Sequence, residues 1–387
     1  VNKDGEDYNL VSTWIGAVND VGSITTATTK VFSHTGITGE VADGATVTGT
    51  ISGTTATVAH TTATQILVYA ISGAGFQLGE DMLVSAGNSV TLSDTGDSCN
   101  LVCHVYDDEG EVLESASLNI WGVTVGPSNQ IYITAPEGER HDGKKYGTGA
   151  RINVAGSIVC KNQMYVNISW LGLYQTAVIG SFISLEDQYC FSKVNNCIIT
   201  TNQVGANAAI YLSHYATDGL GYIINNIIYG AFMRGVRHLN SGTGSHIRGN
   251  TISGCTEGIR TTGSGSLINN LCVGNTTDYI NNKATFTTNG SGDATGSVGL
   301  QNLTAAEFVS VTAGSEDFHL SESATAIDKG TDTGTTYSAN IDIDGRDRDA
   351  SEDIWDLGCD DGQIYVAPKS IGSAMFRGLN RGMKRGF

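Results

Sequence analysis

Apolar and polar positions alternate in short runs along most of the chain, and between Tyr189 and Asn282 those runs acquire a fixed punctuation. An Asn, two mostly apolar residues, a variable residue and then Gly recur as Asn225-Asn226-Ile227-Ile228-Tyr229-Gly230, Gly249-Asn250-Thr251-Ile252-Ser253-Gly254 and Asn269-Asn270-Leu271-Cys272-Val273-Gly274. A degenerate copy reads Asn195-Asn196-Cys197-Ile198-Ile199-Thr200, and the Asn-to-Asn steps are 30, 24 and 20 residues. Before each Asn stands a short strand-like run, Tyr222-Ile223-Ile224, His246-Ile247-Arg248 or Ser266-Leu267-Ile268, with Ile223, Ile247 and Leu267 at one position. Successive strand side chains point to opposite faces, so that position can stack inward while its neighbours vary. Repeats with such steps predict a stacked solenoid of β-coils, with Asn and Gly, which tolerate positive φ, at the corners.

The remaining chain falls into segments of different texture. Leu10, Trp14, Ile15 and Val18 recur at helical intervals, which predicts a short amphipathic helix within an N-terminal cap, residues 1–29, that covers the first coil. Residues 30–108 alternate Thr, Ala, Gly and Val, as in Ala45-Thr46-Val47-Thr48-Gly49-Thr50-Ile51, and predict a small antiparallel β module inserted ahead of the coils. The coils are expected over 109–300, with a polar loop from Pro136 to Gly149 carrying Arg140, His141, Asp142, Lys144 and Lys145. Residues 301–361 contain Asp317-Phe318-His319-Leu320, Asp342-Ile343-Asp344-Gly345-Arg346 and Gly358-Cys359-Asp360-Asp361, and read as a structural terminator.

These repeats resemble the right-handed parallel β-helix, or pectin-lyase-like, superfamily that includes pectate lyases and many phage tailspikes. The closing segment is similar to that of many secreted or viral β-helix proteins, where it packs back on the shaft. The resemblance implies a mainly β fold with an Asn ladder at one corner. It implies no single activity, since the fold carries both enzymes and inert shafts.

Charge adds a second pattern. The net charge is −18, but residues 362–387 hold five basic and no acidic residues, leaving 16 basic against 39 acidic residues, a net of −23, on the rest. Such a body repels nucleic acid and anionic membranes, so nucleic acid is not an expected partner except through the tail. In the tail Ile371, Met375, Leu379, Met383 and Phe387 form one row at four-residue spacing, and Arg377, Arg381 and Arg385 a second. On a helix these would be adjacent apolar and basic stripes, suited to docking on an acidic surface of a homo-oligomer or a larger assembly. No apolar run approaches the roughly eighteen residues of a membrane span, and no signal peptide opens the sequence, although its start at Val1 leaves room for an upstream segment. The eight cysteines show neither zinc-ligand spacing nor CxxC, and Cys255 and Cys272, set among apolar neighbours, read as buried thiols.

Candidate chemistry is sparse. Asp187, Asp218, Glu257 and Asp278 are isolated carboxylates, so neither a lyase nor a paired-carboxylate hydrolase signature is present. Arg237 and Arg260 occupy the same repeat position and would stack about 4.8 Å apart. With Arg248, His238 and His246 they suggest a patch for an acidic polysaccharide, against which stands pairing with Glu257 or plain solvation. Asp342, Asp344, Asp347 and Asp349 alternate as in a calcium loop, but the Gly is misplaced for an EF-hand, and an Asp-Gly turn without metal accounts for the same residues. Calcium is thus the one cofactor suggested. The expected function is a non-enzymatic structural or recognition protein of a virion or cell surface, such as a tailspike, fibre or decoration-like component. The alternatives are a secreted polysaccharide lyase or glycoside hydrolase acting on an acidic glycan, and a cell-surface adhesin.

Overall fold

In the computed structural model, described residues are 10–12, 15 and 28–362, apart from short breaks at 86, 98–99, 108–110, 122, 124, 162–164, 179, 188–190, 215–219, 241–243, 282, 294, 296–298, 336–338 and 349–353. Within them the chain builds a three-faced parallel β-solenoid preceded by a closed six-stranded antiparallel barrel.

The barrel runs β1 (Lys30–Thr38), β2 (Thr46–Gly49), β3 (Thr55–Thr61), β4 (Gln65–Ser72), β5 (Asp81–Ser85) and β6 (Asn88–Leu92), and β1 closes it by pairing with both β4 and β6. Alternation decides its inside: Phe32, Val47, Val58, Ile66, Val68, Met82 and Val90 form a core of their own, while intervening Thr residues face out. The antiparallel module is therefore present but ends near Leu92. Leu101–His104 already pairs in parallel with Ile131–Thr134 as a solenoid strand, so the coils begin earlier than the change in sequence texture suggests.

Each coil contributes one strand to each of three faces. Face 1 holds eight strands, from Leu101–His104 to Thr285–Thr287; face 2 holds nine, from Val112–Glu114 to Gly299–Leu300; face 3 holds seven, from Leu118–Ile120 to Thr277–Asn281. The seven strands of face 3 thus define seven complete coils. Val194, Ile223, Ile247 and Leu267 stack in register as the inward row of face 1, all fully buried in the main core. Ile199, Ile228, Ile252 and Cys272 do the same on face 2, and Leu212, Val236 and Ile259 are buried in the same core from face 3.

The corner between faces 1 and 2 explains the doubled Asn. Asn225 and Asn269 adopt φ of 52° and 56°, and Gly249 fills the same left-handed position in its coil. The second Asn forms a buried ladder: the Oδ1 of Asn250 accepts the backbone N–H and the Nδ2 of Asn226 at 3.0 and 2.9 Å. Asn270 serves Asn250, and Asn289 serves Asn270, in the same way. The degenerate copy is displaced by one residue: Cys197 holds the ladder position, its N–H donating to Asn226 Oδ1 over 29 residues, while Asn196 takes the left-handed corner at φ 50°. Pairing of Ile198 with Ile227 fixes this register.

No α-helix is delineated among the described residues. Most of the expected cap helix lies outside them; its Val11 and Ile15 have helical backbone and are buried in the solenoid core. The basic tail, with Ile371, Met375, Arg377, Leu379, Arg381, Met383, Arg385 and Phe387, lies wholly outside the described residues.

The terminator lies along face 2. Ile198, Ile227 and Leu271 point outward there and pack in one cluster with Leu303, Phe308, Phe318, Leu320, Ile343 and Leu357. The left-handed Asn row ties the same segment down: Asn196 Nδ2 donates to Asp342 O at 2.6 Å, Asn225 Nδ2 to Ala339 O at 3.1 Å and Asn269 Nδ2 to Thr331 O at 2.7 Å. The polar loop from Pro136 folds in as well, with His141 buried and its Nε2 2.8 Å from Asn196 O, and Arg140 over Trp170 at 4.1 Å.

Candidate functional site

With face 2 covered, the outward side chains of face 1 acquire significance. Strand register places Tyr132, Asn167, Lys193, Tyr222, His246 and Ser266 in one outward row along the solenoid axis. Between the second and fifth coils this row floors a groove of about 470 Å³, bordered by Gln130, Tyr165, Ser169, Phe191 and Asn195. Tyr165 and Phe191 stand just ahead of successive strands and stack with centroids 5.0 Å apart and planes inclined by 7°. Tyr222 stacks on His246 at 5.5 Å and 10°.

The polar groups of the groove are held in place by one another. Gln130 Oε1 accepts from Tyr132 Oη at 3.0 Å and from Asn167 Nδ2 at 2.7 Å. Ser169 Oγ lies 2.9 Å from Thr134 Oγ1, and Asn195 Nδ2 donates to Asn196 Oδ1 at 2.9 Å. Lys193 supplies the cation, and burial holds its ammonium down to about 8. Beyond the groove, His246 Nδ1 lies 3.1 Å from Arg248 Nη2 and 2.7 Å from Ser266 Oγ; burial first, and the Arg248 charge second, lower its pKa to about 4. Among the described residues the lining contains aromatic faces, amides, hydroxyls and the Lys193 cation.

The residues singled out from sequence do not form one patch. Arg237 and Arg260 are indeed in register, on face 3. Arg260 pairs with Glu257 at 3.0 Å, Glu257 also takes Arg234 at 2.7 Å, and Arg237 lies 5.2 Å from the Tyr211 ring. The alternative pairing with Glu257 therefore holds for Arg260, with Arg234 in place of Arg237 as the second partner. His238 points inward, fully buried, with Nδ1 3.0 Å from Thr261 Oγ1. Arg248 and His246 belong to face 1, at the end of the groove row. Of the isolated acids, Asp278 is a buried hub that accepts from Asn275 Nδ2 at 2.9 Å and Asp293 N at 3.1 Å; Asp218 and the side chain of Asp187 lie outside the described residues.

The suggested calcium loop is likewise dispersed. Asp342 Oδ1 accepts the N–H groups of Asp344 and Arg346 at 2.9 and 2.7 Å and so closes its own turn. Asp344 faces His319 and Arg346, Asp347 accepts from Asn340 Nδ2 at 3.1 Å, and Asp349 lies outside the described residues. Cys255 and Cys272 are buried free thiols, as are Cys103, Cys160, Cys197 and Cys359.

Sequence reasoning missed the groove because its residues come from four coils and converge only through register. A faint signal existed: Tyr165-x-Asn167 and Phe191-x-Lys193 each set an aromatic residue two positions before an outward polar one. Comparison with protein-family models, curated proteins and solved structures finds no match to this chain, so its geometry alone supports a functional reading.

Proposed function

We propose that this chain is a non-enzymatic structural and recognition protein of a virion or cell surface, a right-handed parallel β-helix of the pectin-lyase-like kind whose face 1 binds an acidic glycan. Right-handedness follows from the strong preference of parallel crossover connections. The single observation that carries the ligand class is the groove lining: sugar rings present apolar C–H faces to aromatic side chains and hydroxyls to amides, and Lys193 adds a cation. An elongated shaft also suits display and assembly, in a homo-oligomer or a larger structure, with the basic tail as docking segment.

One observation favours the enzymatic alternative, a polysaccharide lyase. The lowered pKa of Lys193 is what a base for abstraction of a sugar α-proton requires. Native gels cast with a panel of acidic and neutral polysaccharides separate the readings. The recognition reading expects retardation by acidic glycans that Lys193→Gln weakens, with no ultraviolet absorbance from unsaturated products. Absorbance that grows with time and vanishes in Lys193→Gln would replace it with the lyase; unretarded migration in every gel would overturn both.

A further inference from the structure

The terminator carries a second cluster, away from the groove. His319 on the strand Asp317–Leu320 has both ring nitrogens engaged: Nδ1 lies 2.6 Å from Asp317 Oδ1 and Nε2 lies 3.0 Å from Asp344 Oδ1. Asp360 reaches the same place from the closing stretch of the chain. Its Oδ2 accepts the Leu320 N–H at 2.7 Å, while its Oδ1 is buried without any hydrogen-bond partner, and the residue is only 3% exposed. One ligand atom from each of His319, Asp344 and Asp360 lies within 4.8 Å of the other two, and among the described residues this is the group of possible metal ligands that gathers.

Three features make this more than an acidic cluster. First, Asp360 Oδ1 is an orphan buried carboxylate oxygen, a costly arrangement unless another group satisfies it. Secondly, Asp317 stands behind His319 as carboxylates stand behind metal-bound imidazoles: by accepting from Nδ1 it leaves Nε2, whose N–H faces Asp344, as the nitrogen that can exchange its proton for an ion. Thirdly, the backbone of Gly143 closes over the pair. A Cβ there would fall 2.2 Å from Asp344 Oδ1 and 2.8 Å from His319 Nε2, and φ is +73°, so that position accepts only glycine. Two ligand atoms about 2.1 Å from one ion and in cis positions stand roughly 3.0 to 3.4 Å apart, which the 3.0 Å separation of Nε2 and Oδ1 matches.

We propose that His319, Asp344 and Asp360 form a binding site for a divalent transition-metal ion, zinc foremost, that fastens the terminator together beside the folded-in loop at Gly143. One imidazole and two carboxylates suit zinc; calcium prefers oxygen ligands alone and more of them. The ion would replace the His319 Nε2 proton, which leaves to solvent, and would join three stretches of terminator separated in sequence. It would serve attachment of the cover on face 2 and has no part in the groove.

The test is calorimetric titration of tag-free, chelator-stripped full-length protein with zinc chloride and, separately, calcium chloride. The expected result is one zinc per chain, little or no calcium heat, and a zinc-dependent rise in thermal midpoint. His319→Gln and Asp360→Asn should abolish zinc binding while circular dichroism still reports the β fold. Asp317→Asn, which spares all three ligands, should weaken binding about 10- to 100-fold and keeps the test decisive if a ligand variant does not fold. Absence of zinc heat from the stripped wild type, or a zinc affinity untouched by both Asp317→Asn and Asp360→Asn, overturns the proposal.

Discussion

Faces 1 and 2 of the solenoid share one inward core yet differ in what their outward rows carry. On face 2 the outward Ile198, Ile227 and Leu271 are apolar and buried under the terminator, so those strands are apolar on both sides. On face 1 the row Tyr132, Asn167, Lys193 and Tyr222 is amphipathic and lines an open groove. Inward positions thus determine that a coil forms, and outward positions determine whether a face is structural or available to a ligand. The doubled Asn at the shared corner serves both faces, one Asn tying coil to coil and the other tying the cover down.

That contrast can be broken from either side. The largest effect is expected on face 2. Phe318 packs against Tyr229 and Phe308 with centroids 5.0 and 5.4 Å away, and Phe318→Ala should lower unfolding stability by about 3–5 kcal/mol in denaturant titration while leaving glycan retention intact. Next comes the shared corner. Asn250→Ala strips a partner from the Asn226 N–H, and each buried group left unpaired costs about 1–3 kcal/mol, so the thermal midpoint should fall. Face 1 should respond in affinity: Tyr132→Ala, at a half-buried position, should weaken glycan binding by at least about fivefold, equivalent to about 1 kcal/mol, with a smaller change in stability.

The smallest effect is a pH dependence at Lys193. Burial holds its ammonium down to about 8, below the ordinary lysine value, and the titratable side chains beside it among the described groove residues are Tyr132, Tyr165 and Tyr222. Affinity for an anionic glycan should therefore decline as pH rises through about 8, because the bound cation loses its proton there. Stability moves the other way. Between that pH and the higher pKa of the unfolded chain, the unfolded state binds more protons, so this group's contribution rises with pH. A Lys193→Met variant, titrated in parallel, should show neither trend.

The sequence made the shaft legible because its signals are local and periodic: Ile223, Ile247 and Leu267 do stack, and Asn250 and Asn270 do form a ladder. It misled by one residue at Asn195-Asn196-Cys197, where a literal match to Asn outweighed the strand register that makes Cys197 the equivalent of Asn226. Adjacent apolar pairs such as Ile198-Ile199 and Ile227-Ile228 could have announced a strand covered on both sides. The groove and the His319 cluster were not legible, since Tyr132 and Lys193, or His319 and Asp360, meet only after the coils and the terminator have folded. Arg237 and Arg248 looked like neighbours for the converse reason: they are close in sequence but lie on different faces.

The most direct test of the division between faces is hydroxyl-radical footprinting of the whole protein with and without a bound acidic oligosaccharide. Protection confined to the side chains of Tyr132, Tyr165, Phe191 and Tyr222, with Phe308 and Phe318 unchanged, is the expected result. Protection centred on the terminator or on Tyr211 and Arg237 of face 3, with the face 1 aromatics unaltered, would contradict it.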